Sequence, residues 1–537
     1  MQEAILTHST DGARSIDLHP LRVTLHQGHQ SIGGALYEVS HRNGHRVILD
    51  LGLPLYESPG QAALNLDWAR LARDPVAGLA QLRRRGIPPP GLGLFQDELP
   101  RLCDGIFITH AHLDHWGLLP FLRDGLKVYA HPTTRRLIQW QCLWQGVALP
   151  CLDWHDLEPE QSVRPFHATK LSDFYIYSNP VDHSVPGALS LELSCGWQGS
   201  HRRLVYSGDL RFGEDLEERM NYAANFCRKT DLLLVEGTHL TPGHVAQAGP
   251  DEAQVAAAVQ RALTAHAGLV SVQASALHQV RLAQLRWAAR QSGRTLVLDL
   301  YAALARKAAG CSLRGMRVLF TKDYMRRIEE RRRQFPELAE ALMGAEALQD
   351  CQTRRVRLAQ IQAEPGAWLL GLRAGLLKDF DRYAAQGWAR LPRPDLHIHS
   401  LWKGYRRPDD TLERWLSSHG VPVLDSGVHA SGHAHPEQLR RWALAHRAEH
   451  TVVVHSAHPA AWGPEFRPAS VLTSRRRYAS QQAFERRGFT LRDWVAEQVK
   501  VFGKDVGLVR KRALRRGYLD EEVEGAFIAL QKSNTTS

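Results

Sequence analysis

Residues 105–115 read Gly-Ile-Phe-Ile-Thr-His-Ala-His-Leu-Asp-His, a short apolar run followed at once by a dense cluster of metal-binding residue types. The first five residues have the composition of a buried strand. Alternate side chains of a strand lie on one face, so His110 and His112 at its end can converge on one ion. Asp114 and His115 lie beyond the strand end and can turn toward a second ion. Imidazole and carboxylate ligands together suit Zn²⁺ or a similar first-row ion.

A site for two metal ions needs further ligands, usually with one carboxylate that bridges the ions. The sequence offers His183 in Pro-Val-Asp-His-Ser and Asp209 in Ser-Gly-Asp-Leu, each close to a predicted strand. Taken alone, a loop histidine is more often solvated and a Gly-Asp pair is more often a turn. Their position after His115 in the chain favours the interpretation as ligands. Strands are predicted at residues 21–25, 35–39, 47–51, 127–130, 174–177, 189–193, 203–207 and 231–235.

The periodicity of the sequence changes near residue 250. Residues 251–265 and 279–291 space their apolar side chains as helices do, and strands are predicted between and after them at 268–272 and 295–298. This alternation indicates an α/β unit with a parallel sheet. A charged helix is predicted over 329–347, with Pro336 breaking or restarting it.

Composition sets broad limits on the function. The chain has 537 residues, 44% of them hydrophobic, and a net charge of +11, which indicates two or three globular domains and a polyanionic partner. Its seven cysteines are widely spaced and form no CxxC pair, which favours a reducing cytoplasm. The N-terminus has no apolar segment typical of a signal peptide, and no stretch of about 18 apolar residues predicts a membrane span.

Four features in chain order resemble the motifs of the metallo-β-lactamase superfamily: the strand-ending Asp50, the histidine-rich run 110–115, His183 and Asp209. The resemblance implies an αββα sandwich with the metal site at one edge. A compact member would place its last histidine soon after the bridging aspartate. The next fitting segment here is His455, 246 residues further on, so another domain is expected in between.

The insertion resembles that of the β-CASP nucleases, and most closely the ribonuclease J-like and cleavage-factor-like members that act on RNA. Three motifs carry this resemblance: Glu236 in Val-Glu-Gly-Thr, His433 in Ser-Gly-His-Ala and His455 after an apolar strand. The expected fold class is therefore α/β, an αββα metallo-β-lactamase sandwich with an inserted α/β β-CASP domain and a helical C-terminal region. The predicted ranges are 1–240 and 426–473 for the sandwich, 241–425 for the insertion and 474–537 for the basic C-terminal region.

The resemblance also implies the roles of individual residues. Asp50 would orient the ligands, and His433, held by Glu236, would act as general acid or transition-state stabiliser at the leaving oxygen. In-line attack on a phosphodiester needs such a proton donor opposite the attacking water. Asp114 and Asp209 join these two in the predicted catalytic set. The implied ligands are His110, His112 and His183 for one zinc, Asp114, His115 and His455 for the other, and Asp209 as the bridge.

Residues near the presumed cleft are candidate substrate contacts. Ser400, Lys403 and Tyr405 follow a predicted strand and have side chains that bind phosphate or stack on bases, but a turn that caps the strand explains them equally well. His458 is a candidate for supporting His455 or contacting substrate, and simple packing or solvation is the alternative.

The sequence thus predicts a cytoplasmic β-CASP nuclease with two Zn²⁺, or with Mn²⁺ or another divalent ion, that cleaves single-stranded RNA. Two alternatives stay open: a DNA-directed nuclease of repair or defence, and a weakly active nucleic-acid-binding subunit of a larger assembly. The choice between endonuclease and 5′-exonuclease also stays open. No membrane partner is expected, and a homodimer is compatible with the family resemblance.

Overall fold

The computed structural model describes residues 5–8, 14–55, 66–157, 168–197, 200–212, 230–241, 249–385, 392–406 and 410–462. Its first sheet has eight strands in the order of the chain. Neighbours are antiparallel as far as the fifth strand and parallel from there to the eighth. The strands are β1 Ile5–His8, β2 Arg14–Leu18, β3 Leu21–Gln27, β4 Leu36–His41, β5 Arg46–Leu49, β6 Gly105–Ile108, β7 Lys127–Ala130 and β8 Asp153–Asp156.

The second sheet has six strands and closes with a strand from far along the chain. Its order is β21-β13-β12-β11-β10-β9, antiparallel from β9 to β12 and parallel from β12 to β21. The chain therefore leaves the sheet after β13 and returns beside it about 210 residues later. The strands are β9 Thr169–Leu171, β10 Phe174–Pro180, β11 Leu189–Trp197, β12 Ser200–Tyr206, β13 Leu232–Glu236 and β21 His450–Val454.

These two sheets pack face to face through a shared apolar core. Val23, Tyr37 and Phe107 of the first sheet share one buried cluster with Leu191 and Leu234 of the second. Each strand alternates its side chains between this core and the outer face of its sheet. The outer faces are also apolar, because helices cover them.

Helices complete the outer layers of the sandwich. The first sheet is covered by α1 Trp68–Arg73, α2 Pro75–Arg83 and α4 Pro132–Gln145, while the short α3 Leu113–Trp116 follows β6. The second sheet is covered by α14 Pro436–His446, whose Leu439 and Trp442 pack on Val235 and Val453. The layers run helix, sheet, sheet, helix, which is the predicted αββα sandwich.

A third sheet lies in the long connection between β13 and β21. All of its seven strands are parallel, in the order β17-β16-β15-β18-β14-β19-β20. The strands are β14 Val270–Gln273, β15 Thr295–Asp299, β16 Met316–Leu319, β17 Arg355–Val356, β18 Trp368–Gly371, β19 Leu396–His399 and β20 Val423–Leu424. The helices are α5 Glu252–Ala265, α6 Gln279–Gln291, α7 Leu300–Ala308, α8 Lys322–Gln334, α9 Pro336–Met343, α10 Ala345–Thr353, α11 Leu358–Ala363, α12 Ala374–Ala385 and α13 Thr411–Ser418.

Local sequence signals explain where several of these elements begin and end. Asp251 forms a capping box with Gln254 at the start of α5, and Asp299 caps α7 by accepting a hydrogen bond from Ala302. The predicted break at Pro336 is present, because α8 ends just before Pro336 and α9 begins with it, and a second break at Gly344 starts α10. The strands β1, β2, β8, β9, β16 and β17 were not predicted from the sequence.

The described residues agree with the predicted fold class, an α/β sandwich with an inserted α/β unit. The exact domain boundaries stay predictions. The basic C-terminal region predicted for 474–537 lies outside the described residues. Among the described helices, none combines the length and the apolar character that crossing a bilayer requires.

Candidate metal centre

Four of the predicted ligands meet at the edge of the sandwich. Nε2 of His110 and Nε2 of His183 lie 3.1 and 3.0 Å from Nδ1 of His112. The Asp209 carboxylate oxygen Oδ2 lies 3.7 Å from His110 Nε2 and 4.0 Å from His183 Nε2. The donor atoms all lie within 4.8 Å of one another, close enough to share one ion. They come from the ends of β6 and β12 and from the loop after β10.

A second group of donors lies beside the first. Asp114 Oδ2 is 3.2 Å from Nε2 of His455 and 4.0 Å from Nε2 of His115. Asp209 Oδ2 is 3.2 Å from His115 Nε2, so the Asp209 carboxylate lies between the two groups. His455 follows β21, and the parallel pairing of β21 with β13 brings it back to this edge.

The chemistry of these donors fits divalent cations. His115 Nε2 and Asp209 Oδ1 are buried and make no hydrogen bond with any described residue. Burial lowers the pKa of His110 and His183 well below the usual range and lowers that of His112 to about 4, so these rings are neutral and offer a lone pair. Crowded neutral imidazoles beside buried carboxylates are the donor set that Zn²⁺ and similar ions bind.

The carboxylates of the site are ionised. Burial would raise the pKa of Asp114, but the charges of His115 and His455 outweigh it and lower that pKa to about 2. The same balance holds the pKa of Asp209 well below its usual range. The negative charge also acts on His115: burial opposes protonation, yet Asp209 and Asp50 raise the pKa of His115. A cation bound here would take the place of that proton.

Asp50 holds ligands of both groups in orientation. Its buried carboxylate accepts hydrogen bonds from His115 Nδ1 at 2.8 Å, from the Tyr206 hydroxyl at 2.7 Å and from the Thr109 hydroxyl at 2.8 Å. Because the Thr109 hydroxyl donates its hydrogen to Asp50, Oγ1 of Thr109 can accept from Nδ1 of His110, which lies 3.1 Å away. Both histidines thus present Nε2 to the centre, as orientation by outer hydrogen bonds requires.

The backbone at the site is tightly constrained. Asp50 and His455 have positive φ angles of 56° and 50°, a conformation that side chains other than glycine rarely adopt. Such strain is concentrated at functional sites. Gly52 touches the loop that carries Asp114: a Cβ at Gly52 would lie 1.7 Å from the Asp114 carbonyl oxygen.

His433 and Glu236 form a pair next to the metal-binding donors. Nδ1 of His433 lies 3.2 Å from Glu236 Oε2 and 3.9 Å from Asp209 Oδ2. Glu236 is fully buried at the end of β13 and also accepts from the backbone N–H groups of Leu210 and Thr238. Burial would lower the pKa of His433, but the two carboxylates raise it to about 9. The His433 side chain is 20% exposed, so part of its ring faces solvent.

Several residues that support the site were not predicted to do so, although three of them lie in the motifs around Glu236 and His433. Ser431 accepts from the backbone N–H of His433 at 3.0 Å and pairs with His239 Nε2 at 2.7 Å. The Gly432 carbonyl accepts from Nδ1 of His183 at 2.6 Å, which ties the loop of His433 to a candidate metal ligand. Thr238 Oγ1 lies 2.9 Å from His455 Nδ1. Apart from the contact between Ser431 and His433, these contacts join positions that are remote in the chain, so local spacing could not reveal them.

The predicted substrate contacts lie elsewhere. Ser400 is buried, and its hydroxyl donates to the Val428 carbonyl at 2.6 Å. Lys403 is 60% exposed and pairs with Asp425 at 3.3 Å, and His458 is also exposed. The hydrogen bond of Ser400 and the ion pair of Lys403 are made with residues other than the candidate metal-binding donors. Their role toward substrate, like that of Tyr405, whose side chain lies outside the described set, stays a prediction.

Comparisons with known proteins agree with this geometry. A profile described as Beta-lactamase superfamily domain matches residues 70–278. Ribonuclease J of Mycobacterium tuberculosis is 26% identical over 223 residues, which cover 39% of this chain and 37% of that protein. A ribonuclease of Thermus thermophilus is 29% identical over 150 residues, covering 26% of this chain and 33% of that protein. The matches therefore span only about a third of the length of each of these curated relatives.

A solved structure extends the agreement on the fold. The crystal structure of a protein of unknown function from Enterococcus faecalis is similar with a TM-score of 0.59 at 18% identity, over 82% of this chain and 95% of that one. The ordered ligand motifs, the αββα sandwich, the insertion before His455 and these similarities agree. Together they support a metallo-β-lactamase superfamily domain in this chain, and the similarity to the two ribonucleases supports a relationship to the β-CASP, ribonuclease J-like branch.

Proposed function

We propose that this protein is a metal-dependent nuclease that hydrolyses phosphodiester bonds of single-stranded RNA. One observation carries the proposal: two groups of metal-binding donors share Asp209, and the His433–Glu236 pair lies at their side. The names of the ribonucleases to which the chain is similar and its net charge of +11 support RNA as the substrate.

The donor set is proposed to hold two divalent cations, Zn²⁺ first and Mn²⁺ as the alternative. The ligands of one would be His110, His112 and His183, those of the other Asp114, His115 and His455, with Asp209 shared by both. When bound, such cations supply positive charge for the phosphate oxygens and lower the pKa of water.

The protein's own residues complete the chemistry. Asp50 keeps His115 and, through Thr109, His110 in the orientation that presents Nε2. His433, held by Glu236 through Nδ1, has Nε2 free to donate a proton to the leaving oxygen of the phosphodiester. His433 would donate this proton on the side of the phosphorus opposite the attacking water, as an in-line displacement needs.

The test begins with the purified chain loaded with Zn²⁺ or Mn²⁺ and single strands labelled at either the 5′ or the 3′ end. We expect cleavage of RNA that stops with a chelator and in Asp209→Asn. Asp350→Asn, which alters the partly buried ion pairs of Asp350 with Lys307 and Arg354, is the matched control and should retain activity. The proposal fails if the protein binds no divalent cation or if Asp209→Asn cleaves RNA as fast as the parent chain.

DNA is the second candidate substrate, because two cations and a proton donor act on either backbone. Matched DNA strands in the same time course separate the two, and the product ladder separates endonucleolytic from 5′-exonucleolytic cleavage. Tight binding of strands without turnover under any metal condition would favour a binding subunit. We place the protein in the cytoplasm, since all of the described cysteines are free thiols.

A further inference from the structure

A buried ionic cluster lies between the metal-binding edge and the third sheet. Glu252, in the first turn of α5, accepts hydrogen bonds from Arg211 at 2.7 Å and from Arg281 at 2.7 and 3.1 Å. Its Oε1 also lies 3.1 Å from His278 Nε2. Arg281 is fully buried, and the side chains of Arg211 and His278 are less than a tenth exposed. We name these four residues the Glu252 cluster.

Arg211 connects the cluster to the loops of the candidate metal centre. It lies two residues after Asp209, and its Nε donates to the carboxylate of Asp182, the neighbour of His183, at 3.1 Å. Its Nη1 donates to the Ser431 carbonyl at 3.2 Å. The guanidinium therefore bridges the turn of Asp209, the loop of His183 and the loop of His433.

Arg281 holds the same His433 loop from the side of the insertion. It donates to the carbonyls of Ala430 at 3.2 Å and Ser400 at 3.1 Å, and to the Ser400 hydroxyl at 2.6 Å. That hydroxyl in turn donates to the Val428 carbonyl at 2.6 Å. Between them, Arg211 and Arg281 hold the carbonyls of residues 430 and 431, directly before His433.

The charges of the cluster depend on one carboxylate. Glu252 is the shared partner of both guanidinium groups, and burial of its charge is outweighed by His278 and Arg281, which lower the pKa of Glu252. Without that carboxylate, two buried cations would lie close together with no shared counter-charge, an arrangement that is strongly unfavourable. The backbone that they hold would shift with them.

We propose that Glu252 and Arg211 are positioning residues for His433, and that the inserted domain sets the place of the proton donor through them. The inference rests on the proposed function for its catalytic part only. The contacts of Glu252 given above all lie within the cluster, and none of them is with a candidate metal ligand. The effect of removing the Glu252 carboxylate should therefore fall on the His433 loop.

Two substrates reveal the difference between positioning and general damage. Single-stranded RNA has a poor leaving group that needs a proton, whereas bis(p-nitrophenyl) phosphate releases a stable anion without one. In Glu252→Gln we expect kcat for RNA to fall about 100-fold, the size of a misplaced catalytic group. KM for RNA and kcat for the ester should change less than about threefold by the same argument.

Glu413→Gln is the matched control. Glu413 is similarly buried in the insertion and accepts from Arg406 at 2.9 Å, in an ion pair that does not reach the His433 loop. It should leave both rates unchanged. Equal losses on the two substrates in Glu252→Gln, or no loss on RNA, would overturn the proposal. If Glu252→Gln does not fold, Glu252→Asp is subjected to the same comparison with the same criteria.

Hydrogen exchange of the metal-free protein tests the positioning without any catalysis. We expect peptides covering residues 428–433 to exchange faster in Glu252→Gln than in the parent chain, while peptides of β13 stay unchanged. Unchanged exchange at 428–433, or an equal rise throughout, contradicts the inference. Absence of hydrolysis by the parent chain would refute the proposed function alone, because the exchange result is read independently.

Discussion

Asp50→Asn is the substitution that most directly tests how the metal-binding donors are held. The Asp50 carboxylate accepts from Tyr206 and His115 on Oδ2 and from the Thr109 backbone N–H on Oδ1. Asparagine keeps one acceptor oxygen and replaces the other with an NH₂ group. If the oxygen stays toward Thr109, the NH₂ group faces two donors, His115 Nδ1–H and the Tyr206 hydroxyl.

The expected loss follows from these contacts. Removing an outer hydrogen bond to a metal-binding histidine typically costs 10- to 100-fold in metal affinity, or about 1.4–2.8 kcal/mol. Each buried donor left without an acceptor also costs about 1–3 kcal/mol in the free energy of unfolding. We therefore expect Asp50→Asn to bind Zn²⁺ at least about tenfold more weakly and to unfold at a lower urea concentration.

The assay is competition for Zn²⁺ with a chromophoric chelator, paired with urea unfolding of the metal-free protein. Asp299→Asn is the control, because Asp299 is also buried and accepts from Ala302 N–H, from the Tyr324 hydroxyl and from Arg373, none of which is a candidate metal ligand. It should lose stability and keep its Zn²⁺ affinity.

Two results would refute the reasoning. A change in Zn²⁺ affinity of less than about threefold in Asp50→Asn would mean that His115 and His110 do not depend on Asp50. An equally large loss of affinity in Asp299→Asn would mean that any destabilised variant binds weakly, so the hydrogen bonds of Asp50 would carry no special role.

Three further predictions concern other parts of the molecule. His433→Gln should lower RNA turnover by about 10²–10⁴-fold while metal content stays unchanged, and elemental analysis showing lost metal would contradict its assignment as a proton donor. Gly52→Ala forces a Cβ against the Asp114 carbonyl and should abolish tight Zn²⁺ binding; calorimetry with parental affinity would count against the close approach. His278 and Arg281 lower the pKa of Glu252, so the stabilising effect of its carboxylate is complete above the ordinary glutamate pKa of about 4.3 and is lost as the pH falls through the lowered pKa. The parent chain should therefore lose stability more steeply than Glu252→Gln below about pH 4.3. Urea midpoints of the two proteins that fall in parallel with pH would argue against this.

Local patterns predicted the positions of several elements of the fold closely. The strands β6, β7 and β13 and the helices α5 and α6 begin and end within about two residues of their predicted bounds, because apolar periodicity, caps and breakers act over a few residues. The order of the strands within each sheet, and the parallel return of β21 beside β13, are long-range facts. Only the family resemblance anticipated that return.

The same division holds for the candidate site. The seven proposed ligands, Asp50, Glu236 and His433 are chemical groups with recognisable motifs, and the structure brings them to one edge. The residues that hold them in place have ordinary local sequences. Tyr206 reaches Asp50 across 156 positions, and Arg211 reaches Ser431 across 220.

The contacts of Ser400 are an example of what only the tertiary structure shows. Its hydroxyl accepts from Arg281 and donates to the Val428 carbonyl, partners that its local sequence does not indicate, while its role toward substrate stays a prediction. The sequence by itself determined which side chains could bind a cation or carry a proton, because that depends on residue type and on motif. Which of the remaining polar groups face the cleft and which brace the backbone depends on burial and on partners hundreds of residues away, and those exist only once the chain has folded.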